Sequence, residues 1–197
     1  MKKKKDIEPS LFDEFNMFKY DTIRDVCSSI GCEYGIPGWP DKFGESLTKY
    51  LNDNNCRKIR TLSLFSGAGG LDIGFHDLGF EIIESVEIEQ KFCNTLFLNS
   101  GEGKKFSSSK PNCIDIREYT GDNLGEIEFI IGGPPCQTFS AAGRRQGGVL
   151  GTNDARGVLF REYVRLLEKL QPKGFLFENV YGIVGAQNGE AWQEIKQ

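Results

Sequence analysis

The chain has 197 residues, of which 39% are hydrophobic and 26% are charged, and its formal net charge is −4. These values are ordinary for a soluble globular protein with a substantial core. No apolar stretch reaches the length of a membrane span, and the lysine-rich start, Met1–Asp6, lacks the apolar segment of a secretory signal. Six scattered cysteines are typical of a reducing cytoplasm, and Cys27 and Cys32, without a second pair, do not predict a zinc site.

Residues 1–58 are predicted to form an N-terminal helical extension. Apolar residues fall there at helical spacing: Leu11, Phe15 and Phe18, then Ile23, Val26, Cys27 and Ile30. The stretch Gly35–Pro40, rich in glycine and proline, predicts a turn-rich loop. We expect a small helical cap packed on the main domain, with a role in binding DNA or a partner as the alternative.

From Arg60 onward, short apolar runs alternate with segments of helical period. The runs predict strands at Leu62–Phe65, Ile82–Val86, Ile127–Ile131 and Phe175–Phe177, and the segments predict helices around residues 71–78, 92–96 and 159–170. Residues 101–112, rich in glycine, lysine and serine, predict a flexible loop. Strands and helices in alternation imply a mostly parallel sheet covered by helices on both faces.

The segment Ile131–Ser140 places a cysteine directly after two prolines. Because prolines restrict the backbone, Cys136 is predicted to be held at the end of a strand and presented to a cleft. Three reactions use such a thiol: acyl transfer, disulfide exchange and addition to an electron-poor ring. His76 is the single histidine that could assist acyl transfer, and Cys113 is distant in sequence for a redox pair, so ring addition is favoured.

Three motifs follow one another along the chain: Leu62–Phe75 with a glycine turn, Pro134–Gln137 with the cysteine, and Phe175–Val180 with Glu-Asn-Val at its end. In order and spacing they resemble the DNA cytosine-5 methyltransferases, over about Arg60–Val184. The resemblance implies a Rossmann-like S-adenosylmethionine-dependent methyltransferase fold, α/β in class, and residues 59–197 are assigned as its catalytic domain. It also implies methyl transfer to C5 of a flipped cytosine in DNA, within restriction-modification. RNA (tRNA) methylation on the same scaffold and a non-catalytic, cofactor-binding remnant are the alternatives.

The cofactor is expected at the glycine turn. Gly67, Gly69 and Gly70 lie between a strand and a helix, where backbone N–H groups receive a polar ligand group. A dinucleotide fingerprint needs glycine or alanine three residues after Gly69, but Asp72 stands there, which argues against NAD. The family that the chain resembles binds S-adenosylmethionine at this turn. Asp72 and His76 are expected together on the exposed polar face of the helix that follows.

Two acids are expected to bind the rest of the cofactor. Glu87 ends the second predicted strand, where a carboxylate can accept both ribose hydroxyls, and Glu89 competes for this role. Asp115 and Ile116 follow a third expected short strand. The family pattern places Asp115, next to Ile116, against the adenine amino group, and it places Phe65 against the cofactor. These residues, with the three glycines, form the predicted cofactor site.

The resemblance assigns Cys136 and Glu178 as the catalytic residues. Addition of the Cys136 thiolate to C6 of cytosine would make C5 nucleophilic, and Glu178 would act as the acid at N3. Asn179 is expected to position Glu178, and residues 141–157, with their three arginines, to form a mobile loop that closes over the flipped base. No metal ion is expected in this chemistry.

The charge of the main domain predicts a need for further DNA-binding surface. Residues 61–197 carry 13 Lys and Arg against 18 Asp and Glu, whereas enzymes acting on double-stranded DNA usually present a basic face. The arginine motif, the target-recognition domain and the late cofactor segment of the family are not recognised in the chain. We therefore expect a fragment, one half of a split enzyme completed by a complementary chain, or a remnant, and we expect that the chain alone does not methylate DNA.

Overall fold

The computed structural model describes residues 22–135 and 159–179. Their elements in chain order are α1 (Ile23–Ser29), α2 (Trp39–Asp53), β1 (Ile59–Leu64), α3 (Gly70–Asp77), β2 (Phe80–Glu87), α4 (Gln90–Leu98), β3 (Lys110–Cys113), β4 (Phe129–Gly132), α5 (Leu159–Leu170) and β5 (Gly174–Phe177). The described residues divide into two compact units: an N-terminal unit of residues 22–60 and 73–81, and a sheet unit of residues 61–72, 82–135 and 159–179.

The strands lie in the order β3-β2-β1-β4-β5. The pairs β1–β4, β2–β3 and β4–β5 are parallel. At the carboxyl edge, Leu64 pairs with Gly132, Gly132 pairs with Phe177, and Glu87 pairs with Cys113. The direction in which strands are added reverses between β1 and β4, and open α/β sheets bind ligands outside the carboxyl ends of their strands at such a reversal. The loops that follow the strands are therefore the expected place for a site.

The core of the sheet unit joins the central strands to helix α5. Leu62 of β1 and Ile130 of β4 are buried together with Tyr163 and Leu166 of α5. The apolar residues of α5 recur at helical spacing, so one face of this helix packs on the sheet. The Tyr163 hydroxyl lies 3.1 Å from the carbonyl oxygen of Ile130 and 2.9 Å from that of Leu176, and this donor bridges β4 and β5.

The N-terminal unit has a small core of its own. Helix α1 begins at a capping box, in which the Thr22 hydroxyl oxygen accepts from the Asp25 N–H and the Asp25 carboxylate accepts from the Thr22 N–H. Cys27 of this helix is buried with Leu47 and Leu51 of α2. Helical structure in this region was predicted, and residues 1–21, with three of the apolar residues that indicated it, lie outside the described part of the chain.

Comparison with the predicted elements confirms the α/β fold and corrects two segments. All four predicted strands are present, and the short strand expected before Asp115 is β3. The prediction of a loop over residues 101–112 was wrong at its end, because Lys110–Cys113 pairs with β2. The prediction of a loop over Gly35–Pro40 was also wrong at its end, because Gly38, at φ +75°, is the N-cap of α2, which begins at Trp39.

The helices between residues 22 and 135 and between 159 and 179 fall short of the length and apolarity that a membrane span requires. In the same residues, no three or more His, Cys, Asp or Glu side chains are grouped so that they could hold a metal ion.

Candidate functional site

A cavity of about 230 Å³ lies at the carboxyl edge of the sheet, within the sheet unit. Its lining includes four of the residues predicted to bind the cofactor: Phe65, Glu87, Asp115 and Ile116. Most of the other lining side chains are aliphatic, Ile88 among them. Apolar walls with a few polar groups are typical of small-molecule sites. The fold thus brings residues from the loops after β1, β2 and β3 to one cavity.

The Glu87 carboxylate is held at the end of β2 by three backbone donors. Its Oε2 accepts the N–H of Gly67 at 2.7 Å, and its Oε1 accepts the N–H groups of Ile88 at 2.9 Å and Glu89 at 2.8 Å. These bonds compensate for burial of a side chain that is only 8% exposed. Because an ionised carboxylate offers about four acceptor positions, one position on Oε2 is left for a ligand hydroxyl.

Glu89, the predicted competitor of Glu87, has a different place in the structure. Its residue is exposed and does not line the cavity, and it contributes its backbone N–H to the Glu87 carboxylate. Of the two acids, Glu87 is the one in position to meet a ligand in the cavity.

The glycine turn after β1 has a backbone that few other residues could adopt. Gly67, at φ +55°, and Gly69, at φ +87°, are in the left-handed region, and a Cβ on Gly69 would lie 3.2 Å from the Leu96 side chain. Gly70 begins helix α3. Phe65, which lines the cavity, is also left-handed at φ +54°. For a bulky residue this conformation costs about 1–3 kcal/mol, and such strain clusters at functional sites.

Asp115 lies in the loop after β3, and its carboxylate is engaged by Arg117. Its Oδ1 accepts from the Arg117 backbone N–H at 2.9 Å and from Nε at 3.0 Å, and its Oδ2 accepts from Nε and Nη2. These hydrogen bonds hold the pKa of Asp115 below its ordinary value. Arg117 also lines the cavity. Contact between Asp115 and an adenine amino group would therefore require Arg117 to move.

Glu178 directly follows β5 and is locked onto the loop that follows β4. Its N–H donates to the Gly132 carbonyl at 2.9 Å, and a Cβ on Gly133 would lie only 2.7 Å from the Glu178 carboxylate oxygen Oε2. Beside it, the Asn179 side-chain amide donates to the Pro134 carbonyl at 3.1 Å. The absence of a side chain at Gly133 is thus what allows the Glu178 carboxylate to occupy its place.

The other predicted catalytic residue, Cys136, lies outside the described residues, as do residues 141–157 with their three arginines. Pro135, immediately before Cys136, lines the cavity. The approach of the Cys136 thiol to Glu178 and the closing loop both remain predictions.

The expectation that Asp72 lies on an exposed polar face was wrong. The side chain is fully buried, and its carboxylate accepts hydrogen bonds from the hydroxyls of Ser63 in β1 and Ser85 in β2. Burial raises the pKa of Asp72 to about 6, although these hydrogen bonds oppose the shift. His76 is 24% exposed, with Nδ1 at 3.3 Å from Asp77. The serines inside two apolar strands were the sequence signal for a buried polar partner.

Comparison with known proteins identifies the family. Residues 59–197 match the C-5 cytosine-specific DNA methylases. The chain belongs to this family. Its membership confirms the resemblance found in the three motifs, and S-adenosylmethionine is the cofactor that the family implies. The residues at the cavity fit that cofactor, because in the described part of the chain the buried Glu87 carboxylate keeps an open acceptor position next to the glycine turn and aliphatic walls.

The relatives that this chain matches are longer proteins. The Type II methyltransferase M.FnuDI of Fusobacterium nucleatum is 45% identical over 137 residues, which are 70% of this chain and 37% of that protein. The Type II methyltransferase M.AquIA of Picosynechococcus sp. is 41% identical over 138 residues, 69% of this chain and 54% of that protein. A crystal structure of a proposed DNA modification methyltransferase encoded within an Escherichia coli prophage has a TM-score of 0.56 and 32% identity, and the match covers 70% of this chain and 36% of that one. The chain therefore spans between about a third and a half of the length of these proteins.

Proposed function

We propose that this methylase transfers a methyl group from S-adenosylmethionine to C5 of a flipped cytosine in double-stranded DNA, as part of restriction-modification. The observation that carries the proposal is the match of residues 59–197 to the C-5 cytosine-specific DNA methylases. The Type II methyltransferases among its relatives support the assignment to restriction-modification. The cavity at the carboxyl edge of the sheet supports cofactor binding, because the buried Glu87 carboxylate lines it and accepts a hydrogen bond from the glycine turn beside it.

The proposed cofactor site uses the cavity and the turn beside it. Glu87 accepts a ribose hydroxyl at the free position of Oε2, Asp115 with Ile116 meets the adenine, and Phe65 packs on the cofactor. Gly67, Gly69 and Gly70 let the ligand approach the backbone closely. When bound, S-adenosylmethionine supplies an electrophilic methyl group.

The proposed chemistry depends on Cys136 and Glu178, which come after β4 and β5 in the sequence. The Cys136 thiolate forms a bond to C6 of the cytosine, and the C5–C6 double-bond electrons become available at C5 while Glu178 protonates N3. After C5 has gained its methyl group, the C5 proton is lost to solvent, the thiolate leaves C6, and N3 returns its proton to Glu178. These steps restore the aromatic ring and free Cys136 and Glu178 for another cycle. Asn179 and Gly133 keep Glu178 in place during this sequence.

The substrate and partners belong to the same proposal. Double-stranded DNA must present its cytosine outside the stack, because neither C5 nor C6 can be reached by a thiol inside the duplex. The excess of acidic residues over residues 61–197 predicts that further DNA-binding surface is supplied from elsewhere, either by the rest of a longer protein or by a complementary chain that carries the remaining family motifs. A DNA substrate implies a cytoplasmic, nucleoid-associated location.

The covalent mechanism is tested by Cys136→Ala. The assay uses an active preparation, in which the arginine motif, the target-recognition domain and the late cofactor segment of the family are also present. Methyl transfer should fall below detection, while affinity for S-adenosylmethionine measured by calorimetry stays within about twofold, because the thiol attacks the base and not the cofactor. Cys56→Ala, a change at a half-buried cysteine of the N-terminal unit, is the control and should keep both properties. Near-normal turnover of Cys136→Ala would overturn the covalent mechanism.

The substrate is tested by incubating the same preparation, and the 197-residue chain by itself, with tritiated cofactor and either duplex DNA or tRNA. Label should enter DNA and not tRNA with the complete preparation, and the isolated chain should label neither. Label in tRNA alone would replace the DNA assignment by RNA methylation. Sequence-specific label in DNA from the isolated chain would show that it needs no complementary chain.

A further inference from the structure

The sheet unit contains a hydrogen-bonded network of buried polar side chains that the proposed reaction does not use. The Ser66 hydroxyl lies 2.8 Å from Ser63 Oγ and 3.1 Å from the Ser63 carbonyl oxygen, both of which can accept its proton. The Ser63 hydroxyl donates to Asp72, and the Ser85 hydroxyl donates to Asp72 at 3.4 Å. The hydroxyls of Ser85 and Ser109 lie 3.3 Å apart. All five residues are buried, and the Asp72 carboxylate is at the centre of the network.

A carboxylate in this position has an energetic cost. Burial raises the pKa of Asp72 to about 6, which means that the protein interior disfavours the charged form, and the hydroxyls of Ser63 and Ser85 compensate only in part. An aliphatic side chain would avoid this cost. The groups that bond to the carboxylate therefore indicate what it holds in place.

One end of the network, at Ser66, reaches the glycine turn. The Ser66 N–H donates to the Val86 carbonyl at 3.1 Å, and the Ser66 carbonyl accepts the N–H of Gly69 at 2.9 Å. The next residue, Gly67, donates its N–H to Glu87 Oε2 at 2.7 Å. Ser66 is thus fixed by its backbone and by its hydroxyl, one residue before the donor that orients Glu87.

The other end of the network makes no hydrogen bond to the turn. Ser85 lies within β2, and Ser109 lies in the segment that precedes β3. Neither hydroxyl bonds to the turn in the hydrogen bonds of the described residues, and neither residue lines the cavity. The two ends therefore offer a matched comparison between a serine of the turn and a serine that makes no hydrogen bond to it.

We propose that Asp72 is a positioning residue for the cofactor: through Ser63 and Ser66 it fixes the turn that aims the Gly67 N–H at the Glu87 carboxylate. The inference rests on the proposed function, because it takes Glu87 and the turn as the site for S-adenosylmethionine. Asp72 lies outside the cavity lining and acts only through the residues it holds. Loss of its hydrogen bonds leaves the fold intact but lets the turn, and with it the Glu87 carboxylate, adopt other positions.

The first test compares Ser66→Ala with Ser109→Ala in a preparation that also contains the remaining motifs of the family, because the late cofactor segment is not recognised in the 197-residue chain. Each change removes one buried hydroxyl of nearly equal exposure, 8% for Ser66 and 7% for Ser109. Calorimetric titration with S-adenosylmethionine should show affinity weakened by about tenfold for Ser66→Ala and unchanged for Ser109→Ala. Melting temperatures of the two variants, measured on the same samples, should fall by similar amounts.

The second test compares Asp72→Asn with Asp72→Ala. Asparagine keeps an acceptor for the Ser63 hydroxyl and can donate to Ser85, so it should restore most of the affinity that alanine loses. In the active preparation, Asp72→Ala should raise the KM for the cofactor. It should leave kcat near that of the unaltered protein, because Cys136 and Glu178, the proposed reacting residues, are unchanged.

The outcomes separate the inference from the function on which it rests. If the unaltered preparation binds S-adenosylmethionine and Ser66→Ala binds it as tightly as Ser109→Ala does, the positioning role is wrong and the proposed function stands. If asparagine and alanine at position 72 weaken binding equally, the link through Ser63 is wrong. Failure of the unaltered preparation to bind the cofactor would overturn the proposed cofactor site and the inference together.

Discussion

The two sides of the carboxyl edge hold their acids in place by different means. On the side of β1 and β2, Glu87 is oriented by three backbone N–H groups and is buried. On the side of β4 and β5, Glu178 is exposed and fits against Gly133, where a side chain would collide with it. Hydrogen bonds fix the orientation of the Glu87 carboxylate, whereas the Glu178 carboxylate depends on the space that Gly133 leaves open. The difference predicts that the two sides respond differently to substitution.

The largest effect is expected from Glu178→Gln. The amide keeps the shape of the side chain but cannot deliver a proton to N3, so kcat should fall by about 10²–10⁴-fold. Affinity for S-adenosylmethionine should change little, because Glu178 does not line the cofactor cavity. Single-turnover methyl transfer and calorimetry measure the two quantities, and Glu168→Gln, at an exposed acid of α5, is the control. Loss of cofactor binding in Glu178→Gln would contradict the separation of the two sides.

The change Gly133→Ala should lower the rate of methyl transfer by displacing the Glu178 carboxylate without removing it. The Cβ of Gly133→Ala would lie 2.7 Å from Glu178 Oε2, so the carboxylate must shift. A displacement of about 1 Å at a reacting group can cost about 10²-fold in rate, and we expect a loss of this order in kcat with cofactor affinity retained. Gly44→Ala, in helix α2 with open space around the added methyl group, should leave the rate unchanged. A normal rate in Gly133→Ala would show that Glu178 does not need this position.

The hydrogen-bonded side is tested by Glu87→Ala. Removal of the Glu87 carboxylate should weaken S-adenosylmethionine binding by about 1.5–3 kcal/mol, the value of a hydrogen bond to a charged group. It should change kcat at saturating cofactor much less. Glu89→Ala is the matched control, because its carboxylate does not line the cavity. If calorimetry shows the larger loss for Glu89→Ala, the ribose contact has been assigned to the wrong acid.

The smallest effect concerns stability and the buried carboxylate of Asp72. Its pKa in the folded protein, about 6, lies above its ordinary value of 3.8, so the folded state binds a proton in the interval where the unfolded state does not. Its contribution to stability must then fall as the pH rises from about 4 to 6. Between pH 7 and pH 5 the unmodified protein should gain about 1 kcal/mol in the free energy of unfolding relative to Asp72→Asn.

Urea unfolding at the two pH values measures this difference, and Asp53→Asn, at an exposed acid of α2, serves as the control that should keep the pH dependence of the unmodified protein. Equal pH dependence in Asp72→Asn and the unmodified protein would mean that the Asp72 carboxylate does not titrate in this interval.

Local patterns were enough to predict the architecture. The alternation of apolar runs and helical segments predicted the strands and the α/β fold, because each run or helical face is a feature of neighbouring residues. The three motifs predicted the family, which the match over residues 59–197 confirms. The same patterns were less accurate at β3: a short strand was expected directly before Asp115, but the predicted loop extended to residue 112, and the strand begins at Lys110.

The sequence by itself determined which residues stand at the ends of the strands, because a glycine turn, a strand-end acid and a Glu-Asn-Val motif are each written in a few consecutive positions. Only the tertiary structure decided that Asp72 is buried between two serines, that Arg117 engages Asp115, and that Gly133 makes room for Glu178. These arrangements depend on which side chains meet across strands and loops. Burial, the donors around a carboxylate and the space beside a glycine are set by packing among residues far apart in the chain, and no local pattern specifies them.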